Sequence, residues 1–370
     1  MNDKPLDILI QNACAFFFPE GKMLSAASYG NGHINDTFLV SLENKREISR
    51  YILQRINQHV FNDPLALMEN ISGVTSYLSR KLKSLNRDAA RETLTLIEPA
   101  PGQNLYTDQE GGCWRCFPFL ENTLCLEQAE SEADLQESGR AFGDFQYLLS
   151  EYPAHTLHQS IPYFHHTPRR YQALCTAAET DAFGRASQVV SLLQFAALRQ
   201  EKLSLALHLL EDGALPLRVT HNDTKLNNVL FDRFTRKAVC VIDLDTIMPG
   251  LSLYDFGDAI RFGASAAPED EPDLSRVALS LSLFDAYTKG YLEGLQGSLT
   301  DKELDLLPYG AWLMTMECGI RFLTDYLEGD IYFKTAFPGH NLTRAKAQFA
   351  LAQDIEKKEQ EMKEIVGNHR

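Results

Sequence analysis

The sequence predicts an α+β fold in two lobes, strand-rich at the front and helical behind. Three observations carry this reading. The first third of the chain is rich in strand patterns separated by turn residues. Long helical periodicities dominate from Glu132 onward. A chain of 370 residues is also too long for one small core, and its 44% hydrophobic content is enough for a large one. The lobe boundary falls near Phe119–Thr123, giving an N-terminal lobe at 1–120 and a C-terminal lobe at 121–370.

Taken in order, Ala26–Tyr29 and Phe38–Val40 read as a hairpin around the polar, Gly-containing turn Gly30-Asn31-Gly32-His33-Ile34-Asn35-Asp36-Thr37. Arg50–Ile56 is a third strand. Asp63 and Pro64 then open a helix, Asp63 as cap and Pro64 at the first helical position. Leu67, Ile71, Val74 and Leu78 recur at helical spacing. Leu94–Ile97 and Gly112–Leu120 read as two more strands, with Pro99, Pro101 and Gly102 turning the chain between them. Helical patterns follow at Leu135–Leu149, Ala186–Leu210, Ser275–Gly294, Leu306–Asp325 and Arg344–Ile365, the first two separated by the Pro-containing stretch Ile161–Pro168.

One segment carries chemistry. Val219-Thr220-His221-Asn222-Asp223-Thr224-Lys225-Leu226-Asn227-Asn228 reads H-x-D-x-x-x-x-N, and the apolar run Ala238–Ile242 ends in Asp243-Leu244-Asp245. Phosphoryl transfer uses such a set: one carboxylate to accept a hydroxyl proton, and a carboxamide and a second carboxylate to hold magnesium on nucleotide phosphates. The spacing lets one loop aim Asp223 and Asn228 at a single small volume, and the apolar run reads as a buried strand delivering Asp243. The competing reading is a polar turn that Asp223 and Asn228 merely cap.

Bulk properties narrow the classes. A formal charge of −15 argues against non-specific binding to nucleic acid or anionic membrane, but not against a phosphate ligand held by local cations. The first residues lack a basic segment and a cleavage site, and no run of about 18 apolar residues occurs, so neither a signal peptide nor a membrane span is expected. Seven scattered cysteines suit a reducing cytoplasm. Cys113-Trp114-Arg115-Cys116 has metal-knuckle spacing but sits in a strand-like run without a second pair.

These residues resemble the aminoglycoside-phosphotransferase and choline-kinase-like branch of the protein-kinase fold. Longer strings are similar to N-acetylhexosamine 1-kinases: Gly32-His33-Ile34-Asn35, Tyr51-Ile52-Leu53-Gln54-Arg55, Gly139–Gln146, Val219–Asn228, Ile242–Gly250, Asp255–Gly263, Met316–Gly319 and Arg321–Tyr332. The resemblance implies a bilobal protein-kinase-like fold. It also implies ATP- and magnesium-dependent phosphorylation of the anomeric hydroxyl of GlcNAc or GalNAc.

By that resemblance Asp223 is the catalytic base and Asn228 and Asp243 are magnesium ligands. Asp245 either supports the metal, faces the sugar or is a structural carboxylate. Gly30 and Gly32 cover the phosphates. The lysine expected in the third strand is replaced by Gln54-Arg55, of which strand alternation lets only one face the cleft; Arg55 is the phosphate-binding candidate. Glu69 is the nearest candidate for its helical partner. Phe117–Glu121, including Phe119 and Glu121, takes the place of the adenine-holding hinge. Asp255 is read as bracing the catalytic loop, with Arg261 in the same network. His33, Arg321 and Tyr332 are sugar-pocket candidates, against the plainer reading of a turn histidine and of an arginine ion-paired with Asp325 or Glu328. His165-His166 and Arg169-Arg170 form an exposed polar loop or gate the pocket. The alternative is another small-alcohol kinase of the same fold, acting on choline, homoserine, methylthioribose or an aminoglycoside; Asp325, Glu328 and Asp330 can supply the acidic cluster that a cationic acceptor such as choline or an aminoglycoside needs.

Overall fold

The computed structural model describes residues 4–30 and 34–370. The chain opens with α1 (Lys4–Phe17), then β1 (Lys22–Ser28), β2 (Asp36–Asn44) and β3 (Glu47–Arg55). Next come α2 (Pro64–Ser84), the short α3 (Ala89–Glu92), β4 (Tyr106–Thr107) and β5 (Cys113–Pro118). The strands form one antiparallel sheet in the order β1-β2-β3-β5-β4.

Alternation gives the sheet two faces. Phe38, Val40, Leu42, Leu53, Trp114 and Cys116 pack with Leu9, Ile10, Ala13, Cys14 and Phe17 of α1 into a core of their own. Thr37, Gln54 and Arg115 lie side by side on the other face, paired across β2, β3 and β5. Cys113 and Cys116 belong to different cores. The helix α1 carries helical spacing that reads, residue by residue, as only a short apolar stretch.

The cap predicted for α2 is present: the Asp63 side chain accepts from the Ala66 amide at 3.0 Å, with Pro64 in the first turn. Leu67, Ile71, Val74 and Leu78 are buried, but in the larger core shared with the helical lobe. Asn70 on the same face donates to the carbonyls of Ile247 and His158. The expected strand Leu94–Ile97 is not one. Its sheet contact is the single bond from the Ile97 amide to the Cys116 carbonyl, 2.9 Å, and the prolines at 99 and 101 have no N–H to extend it.

Behind the short β6 (Thr123–Leu124), the larger lobe is built from α4 (Glu132–Leu148), α5 (Thr167–Thr180), α6 (Val190–Ala197), α7 (Gln200–Glu211), β7 (Arg218–Thr220), β8 (Val229–Asp232), β9 (Ala238–Val241), β10 (Met248–Gly250), α8 (Ser252–Gly263), α9 (Leu281–Leu295), α10 (Asp301–Asp305), α11 (Leu307–Leu327) and α12 (His340–Asn368). The helix expected over Ala186–Leu210 is broken at Leu198-Arg199. There the chain turns so that Arg199 meets Glu356 of α12 through two bonds of 2.7 and 2.6 Å. The helix expected from Ser275 begins instead at Leu281, where Ser280 caps it. The helices α5 and α8 were not foreseen, because their polar and Gly-containing runs hide the helical period.

Glycine brings α4 and α9 together. A Cβ on Gly143 would lie 2.2 Å from the Tyr291 carbonyl oxygen, and one on Gly290 would lie 1.9 Å from that of Gln136. The two backbones touch where side chains would hold them apart. The string Gly139–Gln146 is therefore a packing seam. On α8, Gly257 makes the same kind of approach to Gly310 of α11. This seats the first turn of α8, with Asp255, directly beneath the loop that follows β7.

Candidate active site

The loop Thr220–Asn228 is held from below by one carboxylate. Asp255, fully buried, accepts from the amides of His221 (2.9 Å) and Asn222 (2.7 Å) and from Gln146 Nε2 (2.7 Å). The Thr224 hydroxyl donates to the Asp255 carbonyl at 2.6 Å. Burial raises the Asp255 carboxyl above its ordinary value, and these donors oppose the rise. Its bracing place therefore matches the sequence expectation. Arg261 instead pairs with Asp258 and Glu269.

His221, with no exposed surface, pins the loop to the neighbouring strand. Nε2 donates to the Ile242 carbonyl at 2.9 Å, and Nδ1 accepts the Asp223 amide at 3.3 Å. This network assigns a neutral ring protonated at Nε2. Asn222 and Asp243 both adopt left-handed backbone, with φ of 65° and 59°. Such conformations are costly and persist where surroundings over-determine them. Here Asn222 Nδ2 donates to the Thr220 and Thr246 carbonyls, and the Thr246 hydroxyl donates to the His221 carbonyl.

Asp223 and Asn228 do meet. Asn228 Nδ2 donates to the Asp223 backbone oxygen at 2.7 Å and to its Oδ2 at 3.0 Å. The other carboxylate oxygen, Oδ1, is 2.8 Å from Lys225 Nζ. Burial would lower the Lys225 ammonium, but Asp223 and Asp258 outweigh it and hold the pKa above its ordinary value. Sequence reasoning passed over Lys225, although its place two residues after Asp223 was a visible signal.

Asp243 follows β9 and is exposed, while the protein packed around its carboxylate still desolvates it. That desolvation, with the neighbouring Asp245 and Asp223 carboxylates, pushes its carboxyl up to about 7. Three like charges crowd here, and a cation relieves such crowding. Among the described residues no three His, Cys, Asp or Glu side chains are arranged to cage a metal alone. Asn228 and Asp243 nevertheless fit magnesium, which is commonly held by one or two protein oxygens together with nucleotide phosphates.

Asp245 takes a structural place. It is 3% exposed and paired with Arg115 of β5, and Asn35 of the hairpin turn donates to its Oδ2. Arg115 Nε in turn donates to Gln54 Oε1 at 3.0 Å. The cleft face of the sheet thus carries Gln54 and Arg115. Arg55, the expected phosphate-binding residue, is a correction. It projects from the opposite face, 3.6 Å from Asp108 and 3.4 Å from Glu110, with its guanidinium over Trp114. Strand alternation put Gln54 in the cleft, and the cation comes from the adjacent strand. Glu69 pairs with His158 and reaches neither.

Phe119 and Glu121 lie where the chain passes between lobes. The Phe119 amide donates to the Arg50 carbonyl, and its ring meets Tyr29 edge-on at 5.7 Å. The Glu121 carboxylate is paired with Arg50, and its carbonyl accepts from Arg91 at 3.0 Å. Gly30 is exposed with φ of 76°, a conformation natural to glycine. Gly32 and His33 lie outside the described residues.

A second group of side chains adjoins the loop. The His165 side chain is only 6% exposed, so it does not stand free in an exposed loop. Its Nδ1 is 2.7 Å from Glu317 Oε1, and Nε2 faces the Asn222 carbonyl at 3.4 Å. Thr167 donates to the other Glu317 oxygen. Burial would raise the Glu317 carboxyl; His165 and Thr167 outweigh it and hold it below its ordinary value. One helical turn further along α11, Arg321 lies among the rings of Phe164, Tyr332 and Phe333, 5.4–5.9 Å from their centres. It pairs with neither Asp325 nor Glu328. The Asp325 carboxylate instead accepts the amides of Ile331, Tyr332 and Phe333, at 2.8–2.9 Å, and so folds that loop. Tyr332 is 67% exposed.

A family model described as the phosphotransferase enzyme family matches residues 25–292. Solved structures share the whole fold at low identity. A microcompartment-associated aminopropanol kinase is 19% identical with a TM-score of 0.62, covering 96% of this chain and 98% of its own. The choline kinase of Cryptosporidium parvum is 14% identical at 0.57, covering 96% and 97%. The GDP complex of aminoglycoside 2'-phosphotransferase-IIIa is 12% identical at 0.56, covering 93% and 98%.

Proposed function

The chain belongs to the phosphotransferase enzyme family, and on that premise we propose that it phosphorylates the anomeric hydroxyl of N-acetylhexosamines, GlcNAc or GalNAc, from ATP with magnesium. The observation that supports phosphoryl transfer is the convergence of Asp223, Lys225, Asn228 and Asp243 on one cleft. The sugar is read from the strings shared with N-acetylhexosamine 1-kinases, together with the place of Arg321 among Phe164, Tyr332 and Phe333. Guanidinium N–H groups suit hydroxyl and acetamide oxygens, and ring faces suit the apolar face of a sugar.

In this reading Asp223 orients the anomeric hydroxyl and takes its proton as the oxygen bonds to the γ-phosphorus and the bond to ADP breaks. Asn228 fixes the orientation of Asp223 through its two bonds, and Lys225 offsets charge beside it. Most of the barrier is lowered by positioning and by fixed charges aimed at the phosphoryl group. Asn228 and Asp243 would hold magnesium, which would supply charge neutralisation on the phosphates. The positively charged Arg115 on the cleft face holds Asp245 in place beneath them.

The test is ADP release over GlcNAc, GalNAc, glucose, galactose, choline and kanamycin, with phosphorus NMR of the product. The expected result is the 1-phosphate of an N-acetylhexosamine and a preference over glucose of about a hundredfold. A 6-phosphate, or equal use of glucose and GlcNAc, removes the substrate assignment.

A further inference from the structure

Beside the catalytic loop lies a cavity of about 300 Å³, at the small end of the ~300–1,000 Å³ range of ligand pockets. Leu226 of the loop forms one side. The end of α8, the strap that joins α8 to α9, and Gln348 of α12 form the rest. The strap is a fixed wall. The Ala266 amide donates to the Ala278 carbonyl and the Ser280 amide to that of Ala264, both at 2.8 Å, so its two ends are zipped together. Asp223, Asn228, Asp243, Arg321 and Tyr332 are all absent from the wall of this cavity.

The wall carries balanced charge and unsatisfied amides. Its charged side chains cancel, because Arg261 Nη1 donates to Glu269 Oε1 at 2.6 Å. Gln348 is 3% exposed and makes no hydrogen bond among the described residues. Its Oε1 is sealed against protein without a partner, so Nε2 is the end that meets the cavity. No partner fixes which atom lies where, and a half-turn of the amide exchanges donor for acceptor. A buried amide left this way is costly, and a ligand that bonds it recovers the cost. Gln128 brings a second amide without a hydrogen bond among the described residues, at the exposed mouth. Leu226, Phe262 and Leu283 supply apolar surface between the two.

The cavity is wired to the reacting centre. Arg261 donates to Asp258 through Nε at 3.1 Å and Nη2 at 2.9 Å. The Asp258 charge favours the Lys225 ammonium, which stands 2.8 Å from Asp223 Oδ1, and Leu226 is the next residue in the chain. We propose that this cavity is a second ligand site, separate from the acceptor pocket, that takes a neutral, hydroxyl-rich molecule of monosaccharide or polyol size and steadies the catalytic loop when filled. A wall whose charges cancel gives a charged ligand nothing to replace its hydration. Amides that donate or accept suit hydroxyl groups, and the apolar patch suits the C–H face of a ring. Such a site stands whichever acceptor the chain phosphorylates.

The test measures dissociation constants by calorimetry on the full chain saturated with MgADP and GlcNAc. The neutral probes are myo-inositol and sorbitol, and the charged ones glucuronate and choline. The neutral probes should bind more tightly than the charged ones by about tenfold or more. Gln348→Leu should weaken them about fivefold or more, the worth of a lost hydrogen bond. Ala266→Trp should remove binding by filling the cavity; Ala266 is exposed, so the bulk is added at the wall and not in the core. Arg321→Ala should leave the probe affinities unchanged, which separates this site from the acceptor pocket. Should the variants fail to fold, hydrogen exchange on the wild type still answers: amides of residues 225–228 and 265–269 should slow when myo-inositol binds. No binding by either neutral probe, equal binding by the charged ones, affinities unmoved in folded Gln348→Leu and Ala266→Trp, binding lost in folded Arg321→Ala, or unchanged exchange in the loop each overturns the site. If the site passes while no N-acetylhexosamine 1-phosphate forms, the sugar-acceptor assignment falls alone.

Discussion

Arg115 and Asp245 join the two lobes across the cleft. Arg115 stands on β5 of the sheet, 2% exposed, and Asp245 lies two residues beyond Asp243, 3% exposed. Gln54 and Asn35 complete the cluster from the sheet side. The pair therefore sets the distance between the sheet and the loop that delivers Asp243. A buried pair of this kind is no guarantee of stability, because desolvation offsets its attraction. Its consequence is geometric.

Removing one partner should cost far more than removing both. Arg115→Met leaves the Asp245 charge buried without its counter-ion and is expected to destabilise the protein by about 3–5 kcal/mol. The double variant Arg115→Met with Asp245→Asn should recover part of that loss. Urea denaturation of the single and double variants checks the coupling. Additive losses would show that the pair does not bind the lobes together.

Glu317 predicts an acid-side instability. Its carboxyl is held below the ordinary 4.5, with burial outweighed by His165 and Thr167. A carboxyl lowered in the folded state contributes stability above its unfolded pKa and loses it as pH falls through the folded one. The wild type should therefore lose melting temperature more steeply than Glu317→Gln as pH drops below 4.5. Parallel melting curves for the two proteins through that window would contradict the assignment.

How much of this was legible follows from where partners lie in the chain. Asp223, Asn228 and Asp243 sit in one short segment, so spacing alone brought them together, and the Asp63 cap and the hairpin were equally local. His165 and Glu317 are 152 residues apart, and nothing in either neighbourhood announces the other. The same holds for Arg115 and Asp245. Alternation showed that Gln54 and Arg55 face opposite ways. Which one meets the cleft depends on α1, whose packing covers the Arg55 side of the sheet. Gly139 and Gly143 were visible as a string, but their purpose appears only when α9 crosses them.

That crossing is testable on its own. Gly290→Ala places a Cβ 1.9 Å from the Gln136 carbonyl oxygen, and backbone cannot swing aside as a side chain does. The α4–α9 seam should open, costing about 1–3 kcal/mol or more. Gly30→Ala, which meets no atom within 4 Å, should act only through its backbone φ of 76°. Denaturation midpoints should therefore fall much further for Gly290→Ala. Equal effects would mean that the helices have room to separate.

The last prediction separates the proton acceptor from the cation site. Asp223→Asn keeps a side-chain oxygen for Asn228 Nδ2, and the backbone bond to the Asp223 carbonyl is untouched, so the fold should persist. Turnover should nonetheless fall by about 10²–10⁴, the usual worth of a positioned base. The magnesium titration should stay near that of wild type. Asp243→Asn should do the reverse to the metal: half-maximal rate should need more magnesium, because a carboxylate ligand has become an amide. It should also behave unusually without magnesium. Asp243 is crowded by the Asp245 and Asp223 charges, so deleting its charge removes repulsion from the empty cleft. The metal-free variant should then melt at or above the wild-type temperature near neutral pH, and gain less than wild type on adding MgATP. Thermal melts with and without MgATP, set beside the two magnesium titrations, decide between the roles. An Asp223→Asn enzyme with near-normal turnover would remove Asp223 as the base, and an unchanged magnesium titration in Asp243→Asn would move the metal elsewhere.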